Sequence, residues 1–257
     1  MARHAFRFAP SPNGLLHLGH AYSALLNWRM AKAEDARFLV RIEDTDITRC
    51  TIAHAAQILD DLAWLGLGWE EPVRVQSEHF ADYEENISRL WAMDAVYPCF
   101  CSRKESLAHA REEKDPDGVP LYGGTCRNLS RDEAERRIAA GEQYGWRLKA
   151  SGDTALWGDA VIAKPRVGSW YHIAVVTDDH LQGITHVVRG KDIEAATPLH
   201  IKLQKLLGFA TPLYTHHDLI RDEAGDKLSK SAGSPSLLSL RQNGVTAEKV
   251  RAELGFG

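Results

Sequence analysis

Three groups of side chains in this 257-residue chain are of types and spacings that could do chemistry. The first is a pair of imidazoles, His17 and His20 in the run HLGH, matched far along the chain by two ammonium groups, Lys227 and Lys230 in KLSKS. Imidazoles at the positive N-terminal end of a helix are placed to hold phosphate. Gly19, lacking a side chain, would let a flat ring such as adenine lie close to the backbone. Alone, HLGH reads equally as a helix-start turn with two surface histidines or as half of a metal site, and a lysine-rich loop alone is ordinary solvated surface. The second group is Arg7, Glu43, Tyr171 and Arg189. A carboxylate such as Glu43 could hold an ammonium group, and two guanidinium forks with a phenol hydroxyl match carboxylates through paired hydrogen bonds. Together they would recognise a dicarboxylic amino acid. The structural alternatives are a solvated acidic loop at Glu43, a half-buried core Tyr171, and an Arg189 paired with Asp178 or Asp192. The third group is Cys99, Cys101 and Cys126, three thiols that would supply three ligands of a four-coordinate zinc site or remain buried and unliganded. For the fourth ligand, His109 is the chemically obvious choice.

The elements that must carry these groups follow from periodicity. Phe6 to Ala9 reads as a strand ended by Pro10, Pro12 and Gly14, and Ala21, Ala24, Leu25 and Trp28 mark a helix to about Glu34. Residues 38–44 alternate as a strand with a charged-ended face, putting Glu43 at a carboxyl end, where parallel α/β sheets bind ligands. Ile52, Ala55, Ala56, Leu59 and Leu62 mark a core-facing helix stopped near Gly66 and Gly68, with Cys50 read as a helix residue, and Tyr83, Ile87, Leu90 and Trp91 mark another. From about Val96 the chain turns polar around the cysteines. Ser130 to Glu133 is a capping-box signature for a helix that ends at Gly141 and carries Arg131, Arg136 and Arg137, a basic face for solvent or phosphate. Strands are expected over 144–149, 160–164, 184–189 and 214–220, and a helix over 193–207 ending before Gly208. A short terminal helix with Arg241, Lys249 and Arg251 would brace the core or touch phosphates.

HLGH early and KLSKS late resemble the signature pair of the class I aminoacyl-tRNA synthetases. RFAPSPNG (7–14), RIEDTD (41–46), WLGLGW (64–69), QSE (76–78) and GITHVVRG (183–190) resemble the glutamyl branch, so the likeness covers about 7–231. Asn13, Leu18 and Leu228 are mild departures from that pattern. The resemblance implies an α/β fold, a Rossmann-type parallel sheet with an inserted zinc-bearing connective subdomain. It divides the chain into a first catalytic half (1–95), the insertion (96–167), a second catalytic half with the lysine loop (168–240) and a helical tail (241–257). It implies ATP binding by His17, Gly19, His20 and Lys230, with His17, His20, Lys227 and Lys230 as the catalytic set. It implies glutamate binding by Arg7, Phe8, Ala9, Pro10, Ser11, Glu43, Tyr171 and Arg189, and Mg2+ accompanying ATP. For the zinc site it points to Tyr122 as fourth ligand beside Cys99, Cys101 and Cys126.

Only 26 residues follow Ser231, so no anticodon-binding domain is expected, and the chain resembles the shorter glutamyl-queuosine tRNA(Asp) synthetases. Their acceptor is queuosine in tRNA(Asp) and their amino acid is L-glutamate. The alternatives are a compact enzyme charging the 3′ end of tRNA(Glu), a nucleotidyltransferase of the same fold, and a non-catalytic tRNA-binding relative. Net charge −4 excludes a general polyanion binder. An N-terminus without an apolar leader core, and no apolar run near the roughly 18 residues of a membrane span, predict a cytoplasmic protein without membrane contact. A monomer is expected. Four cysteines, three of them clustered, fit a metal site better than a disulfide framework.

Overall fold

The computed structural model describes residues 3–165, 170–220 and 235–257. Its strands are β1 (Ala5–Phe8), β2 (Arg37–Ile42), β3 (Glu70–Val75), β4 (Val96–Cys99), β5 (Gly145–Leu148), β6 (Val161–Ala163), β7 (His186–Gly190) and β8 (Leu213–His217). Its helices are α1 (Leu18–Ala33), α2 (Ile52–Trp64), α3 (Phe80–Ala92), α4 (Arg103–Ala108), α5 (Arg131–Ala139), α6 (Tyr171–Leu181), α7 (Thr197–Leu207), α8 (Leu237–Gln242) and α9 (Ala247–Glu253). The chain divides into two units, one from 1–78, 181–194 and 212–257 and the other from 79–180 and 195–211.

In the first unit five parallel strands lie in the order β3-β2-β1-β7-β8, with the reversal of strand order falling between β1 and β7. Both faces of the central strands are covered, as parallel sheets require. Phe6, Phe8, Phe38, Val40, Ile42 and Val188 pack on one side against Ala21, Ala24 and Leu25 of α1 and Ile58 and Leu62 of α2. The alternate residues Ala5, Leu39 and Val187 form a smaller apolar cluster on the other side. By the two-residue period of a strand, Arg7, Arg41 and Arg189 continue that second face toward the carboxyl edge. Asn27, fully buried on α1, donates to the Ser23 carbonyl (2.9 Å) and the Val188 carbonyl (3.0 Å), tying helix to β7.

β2 has the expected charged-ended face, and that face is enclosed: five of its six residues are buried, Arg41 fully. On α2 the core face is Ile58, Asp61 and Leu62, whereas Ile52 is 91% exposed and Ala56 points outward, because the stripe begins only after the first turn. Thr51 caps that helix by accepting from the His54 N–H (3.1 Å), which leaves Cys50 outside it in the preceding turn. After residue 235 the chain braces the sheet. The Leu237 N–H donates to the Leu16 carbonyl (2.8 Å), Arg241 pairs with Asp60 (2.7 Å), and Arg251 donates to the Leu65 carbonyl (2.9 Å).

In the second unit β4, β5 and β6 form an antiparallel sheet. Tyr83, Ile87 and Leu90 of α3, Ile173 and Val176 of α6, and Leu199, Leu203 and Leu207 of α7 share its core with Trp146 and Ile162. α7 begins at Thr197 rather than 193, since residues 191–196 wind as a 3-10 helix before Pro198 opens the α-helix. Gly208 stops it at φ +72°, where a glycine meets no steric penalty. The arginines of α5 are engaged: Arg136 pairs with Glu133, Arg137 with Glu142, and Arg131 donates to the Trp91 carbonyl.

Candidate active site

The HLGH turn is built by reciprocal capping. His17 is the N-cap of α1, and its Nδ1 accepts the Gly19 N–H (3.1 Å), while its own backbone N–H donates to His20 Nδ1 (3.1 Å). Because both Nδ1 atoms accept, the neutral rings carry their protons on Nε2, so each presents an N–H donor. The rings lie 3.9 Å apart at the helix N-terminus. A Cβ on Gly19 would stand 3.0 Å from His17 Cε1, so the missing side chain also makes room for the imidazole to fold back. Lys227 and Lys230 lie outside the described residues.

Arg7, Glu43 and Arg189 come from β1, the end of β2 and β7, three adjacent strands, at the carboxyl edge where the strand order reverses. Arg7 and Arg189 are each 5% exposed. The loops after β1 and β2 are latched through backbone, Glu43 N–H to the Pro10 carbonyl (3.0 Å) and Thr51 N–H to the Pro12 carbonyl (3.2 Å). Phe8 and Pro10 are buried and Ala9 half-buried, and Ser11 Oγ meets Cys50 Sγ at 3.5 Å. Glu43 is not part of a solvated loop. Its Oε1 accepts from Arg41 Nε (3.3 Å) and Nη2 (3.1 Å), and Arg41 Nη1 donates to Gln182 Oε1 (3.0 Å). The neighbouring acids have other work: Asp44 accepts the Ser77 N–H and hydroxyl, and Asp46 binds Thr48 and Arg49.

Arg189 sits over the Tyr214 ring at 5.1 Å and directs Nε toward His216 Nε2 (3.4 Å). Burial, with the Arg189 charge beside it, lowers the pKa of His216 and favours the neutral ring. Tyr171 belongs to the second unit, where it opens α6 with its ring 5.1 Å from His172 and 5.8 Å from His200; Asp178 on the same helix accepts from Tyr83 (3.0 Å). Sequence reasoning missed Arg41, Gln182 and His216. For Arg41 the signal was present, an arginine two residues before an acid inside a run that otherwise fits a strand buried on both faces.

In the second unit the Cys99, Cys101 and Cys126 sulfurs lie within 4.8 Å of one another, those of Cys101 and Cys126 being 3.6 Å apart. Tetrahedral zinc with bonds of about 2.3 Å would hold sulfurs about 3.8 Å apart, so the donor set fits such an ion. The Tyr122 hydroxyl is 3.2 Å from Cys99 Sγ and 3.3 Å from Cys101 Sγ, and it accepts the Cys126 N–H (2.9 Å). Among the described residues His109 is outside this group, at the exposed C-cap of α4. A hydrogen bond from Cys126, then ones from Tyr122 and Arg147, outweigh burial and lower the pKa of the Cys99 thiol. Beside the cluster opens a cavity of about 490 Å³ lined by Arg147, Trp157, Asp159, Lys164 and His172.

Residues 5–252 match the family of class I tRNA synthetases (E and Q), catalytic domain. The chain belongs to that family, and its α/β fold with a parallel sheet is the class I synthetase fold. It is 41% identical to a glutamyl-Q tRNA(Asp) synthetase of Rhodobacter capsulatus, over 97% of this chain and 99% of that one. A glutamate–tRNA ligase of Prochlorococcus marinus is 36% identical over 97% of the chain, which spans 57% of that protein's length. The structure of a glutamate tRNA ligase from Elizabethkingia meningosepticum, in complex with its amino acid, superposes with a TM-score of 0.76 at 29% identity, over 90% of this chain and 53% of that one. The protein is an enzyme of the aminoacyl-tRNA synthetase type, a class of ATP-dependent ligases that work with Mg2+. Among the described residues no helix is long and apolar enough to cross a membrane.

Proposed function

We propose that this chain activates L-glutamate with ATP and transfers the glutamyl group to queuosine at the wobble position of tRNA(Asp). The activation half is supported by Arg7, Glu43 and Arg189 meeting on three neighbouring strand ends, a set suited to an amino acid with an ammonium and a second carboxylate. The glutamate α-carboxylate attacks the α-phosphorus, the bond to the bridging oxygen breaks, and pyrophosphate leaves. The nucleophile is already ionised, so catalysis is positioning and charge stabilisation. Glu43 holds the ammonium. Arg7 and Arg189 hold carboxylate, and Phe8, Ala9, Pro10 and Ser11 line the site. His17 and His20 donate Nε2–H to phosphate oxygens above Gly19, and Lys227 and Lys230 neutralise charge that grows on the leaving pyrophosphate. Magnesium supplies further neutralisation on the phosphates. A hydroxyl of the queuosine cyclopentenediol then attacks the adenylate carbonyl, giving an ester and AMP.

In the second unit Cys99, Cys101, Cys126 and Tyr122 would hold one structural zinc, bracing a segment that carries few core residues. The single observation behind the acceptor is the end-to-end match, 97% and 99%, with the R. capsulatus glutamyl-Q protein. A second reading, charging of a tRNA 3′ end, draws on the 36% identity with the P. marinus ligase. Labelled glutamate, ATP and tRNA(Asp) with or without queuosine separate the two. Label that requires queuosine and leaves the 3′ diol open to periodate supports the first. Label on queuosine-free tRNA, removed with the 3′ adenosine, replaces it by the second.

A further inference from the structure

At the amino edge of the first unit's sheet, remote from the HLGH turn, three side chains from distant parts of the sequence converge. His4 precedes β1, Glu34 caps the C-terminal end of α1, and His186 opens β7. One nitrogen of each imidazole and one oxygen of the carboxylate lie within 4.8 Å of one another. His4 Nδ1 is 2.7 Å from Glu34 Oε2, and the two rings are 4.9 Å apart.

Thr185 holds the His186 ring from its Nδ1 side. Thr185 Oγ1 accepts the Ala5 N–H (2.9 Å) and aims its own proton at the Ala5 carbonyl (3.3 Å). Oγ1 also meets His186 Nδ1 at 2.8 Å, and with the Nδ1 proton aimed at this oxygen Nε2 presents the bare lone pair. That is the arrangement by which an outer hydroxyl orients a histidine as a metal ligand. Stacking on Phe6, at 4.5 Å between centroids and 13° between planes, fixes the ring further.

We propose that His4, Glu34 and His186 form a binding site for a divalent ion of the zinc, cobalt or nickel type, separate from the cysteine cluster. Two imidazole nitrogens and a carboxylate oxygen suit these metals, whereas magnesium and calcium prefer oxygen alone. His4 and Glu34 are exposed, so an ion reaches the site without unfolding the chain, and its remaining positions face water. The bound ion joins the start of β1, the end of α1 and the start of β7. The site does not depend on the reading of the reaction.

The test is a Co2+ titration of the full chain preloaded with one equivalent of Zn2+, followed by visible absorption and calorimetry. One Co2+ should bind with a nitrogen–oxygen spectrum, without the intense sulfur-to-cobalt bands that cysteine ligation gives. His4→Ala and His186→Ala should each weaken that binding by about tenfold or more, and Thr185→Val by about 10- to 100-fold, as loss of an outer partner does. His4 is an exposed residue ahead of the first strand, so its variant keeps the fold, which circular dichroism verifies. Absence of Co2+ uptake, uptake showing sulfur bands only, or binding unchanged by both His4→Ala and Glu34→Gln overturns the site and leaves a surface ion pair.

Discussion

Replacing Arg41 by Leu should damage stability and glutamate use together while sparing ATP. The guanidinium is fully buried in β2, where it donates twice to Glu43 and once to Gln182. Charge-assisted hydrogen bonds contribute about 1.5–3 kcal/mol each, so three give a gross loss of about 5–9 kcal/mol. Leucine no longer requires desolvation of a buried cation, which returns several kcal/mol, and the net falls in the range of about 3–5 kcal/mol found when one partner of a buried pair is removed. The Glu43 carboxylate, with only 11% of its side chain exposed, then loses the group that aims it. If aiming accounts for about 1.4 kcal/mol of ammonium binding, KM for glutamate rises about tenfold. KM for ATP should stay within about twofold, because the HLGH turn holds its shape through its own cap. Urea unfolding and glutamate-dependent exchange of pyrophosphate into ATP measure the two effects. Coupling in the double variant with Glu43→Gln, smaller in sum than the singles, isolates the pair. A variant within about 1 kcal/mol of the parent with unchanged KM for glutamate would refute the reasoning.

Lys230→Ala should slow adenylate formation on the order of 100-fold with a smaller effect on glutamate affinity, and an unchanged single-turnover rate would remove the clamp from the mechanism. Arg189→Ala should weaken glutamate activation and leave ATP binding nearly intact; equal losses for both ligands mark a structural arginine. Metal analysis should find about one cysteine-bound zinc per chain, the one lost in Cys126→Ser, and its retention in Tyr122→Phe would shift the fourth position to water. Asp159 is buried, which by itself raises its pKa. The Ala150 N–H, the Tyr97 hydroxyl and Arg127 outweigh that and hold it below the usual range. A depressed folded pKa stabilises above the unfolded value of about 3.9 and is lost as pH falls through the folded one, so the stability gap between parent and Asp159→Asn should narrow on acidification below about pH 4. A gap constant from pH 7 to pH 3 would show that the Asp159 charge is not what stabilises this region.

Local punctuation was legible in the sequence, because it rests on single residues. Ser130 accepts from the Glu133 N–H as an N-cap, and Gly66, Gly141 and Gly208 take positive φ where helices stop. The grouping of Arg7, Glu43 and Arg189 was legible from strand ends, and the cysteine cluster from thiol spacing. What escaped was tertiary. For Arg41 the run itself offered a sign, but nothing within β2 announces that Gln182, 141 residues away, will meet that charge. Ile52 looks like core by type, yet at the first turn of α2 it has no opposing surface. The turn holding Cys50 was hidden because Thr51, not an earlier residue, supplies the cap.

The strand order has a consequence for how the chain is made. β1 lies in the middle of the sheet, yet its two neighbours are synthesised at very different times, β2 directly and β7 only after residues 79–180. At about 5–20 residues per second the ribosome needs roughly 10–35 s to travel from the end of β1 to β7, during which one edge of a buried, aromatic strand has no ladder partner. Such an edge invites pairing with other chains. The nascent first sheet is therefore the stage most exposed to aggregation, and pulse-labelled amide exchange should find Arg7, whose amide by alternation faces β7, protected after Phe6 and Phe8, whose amides face β2.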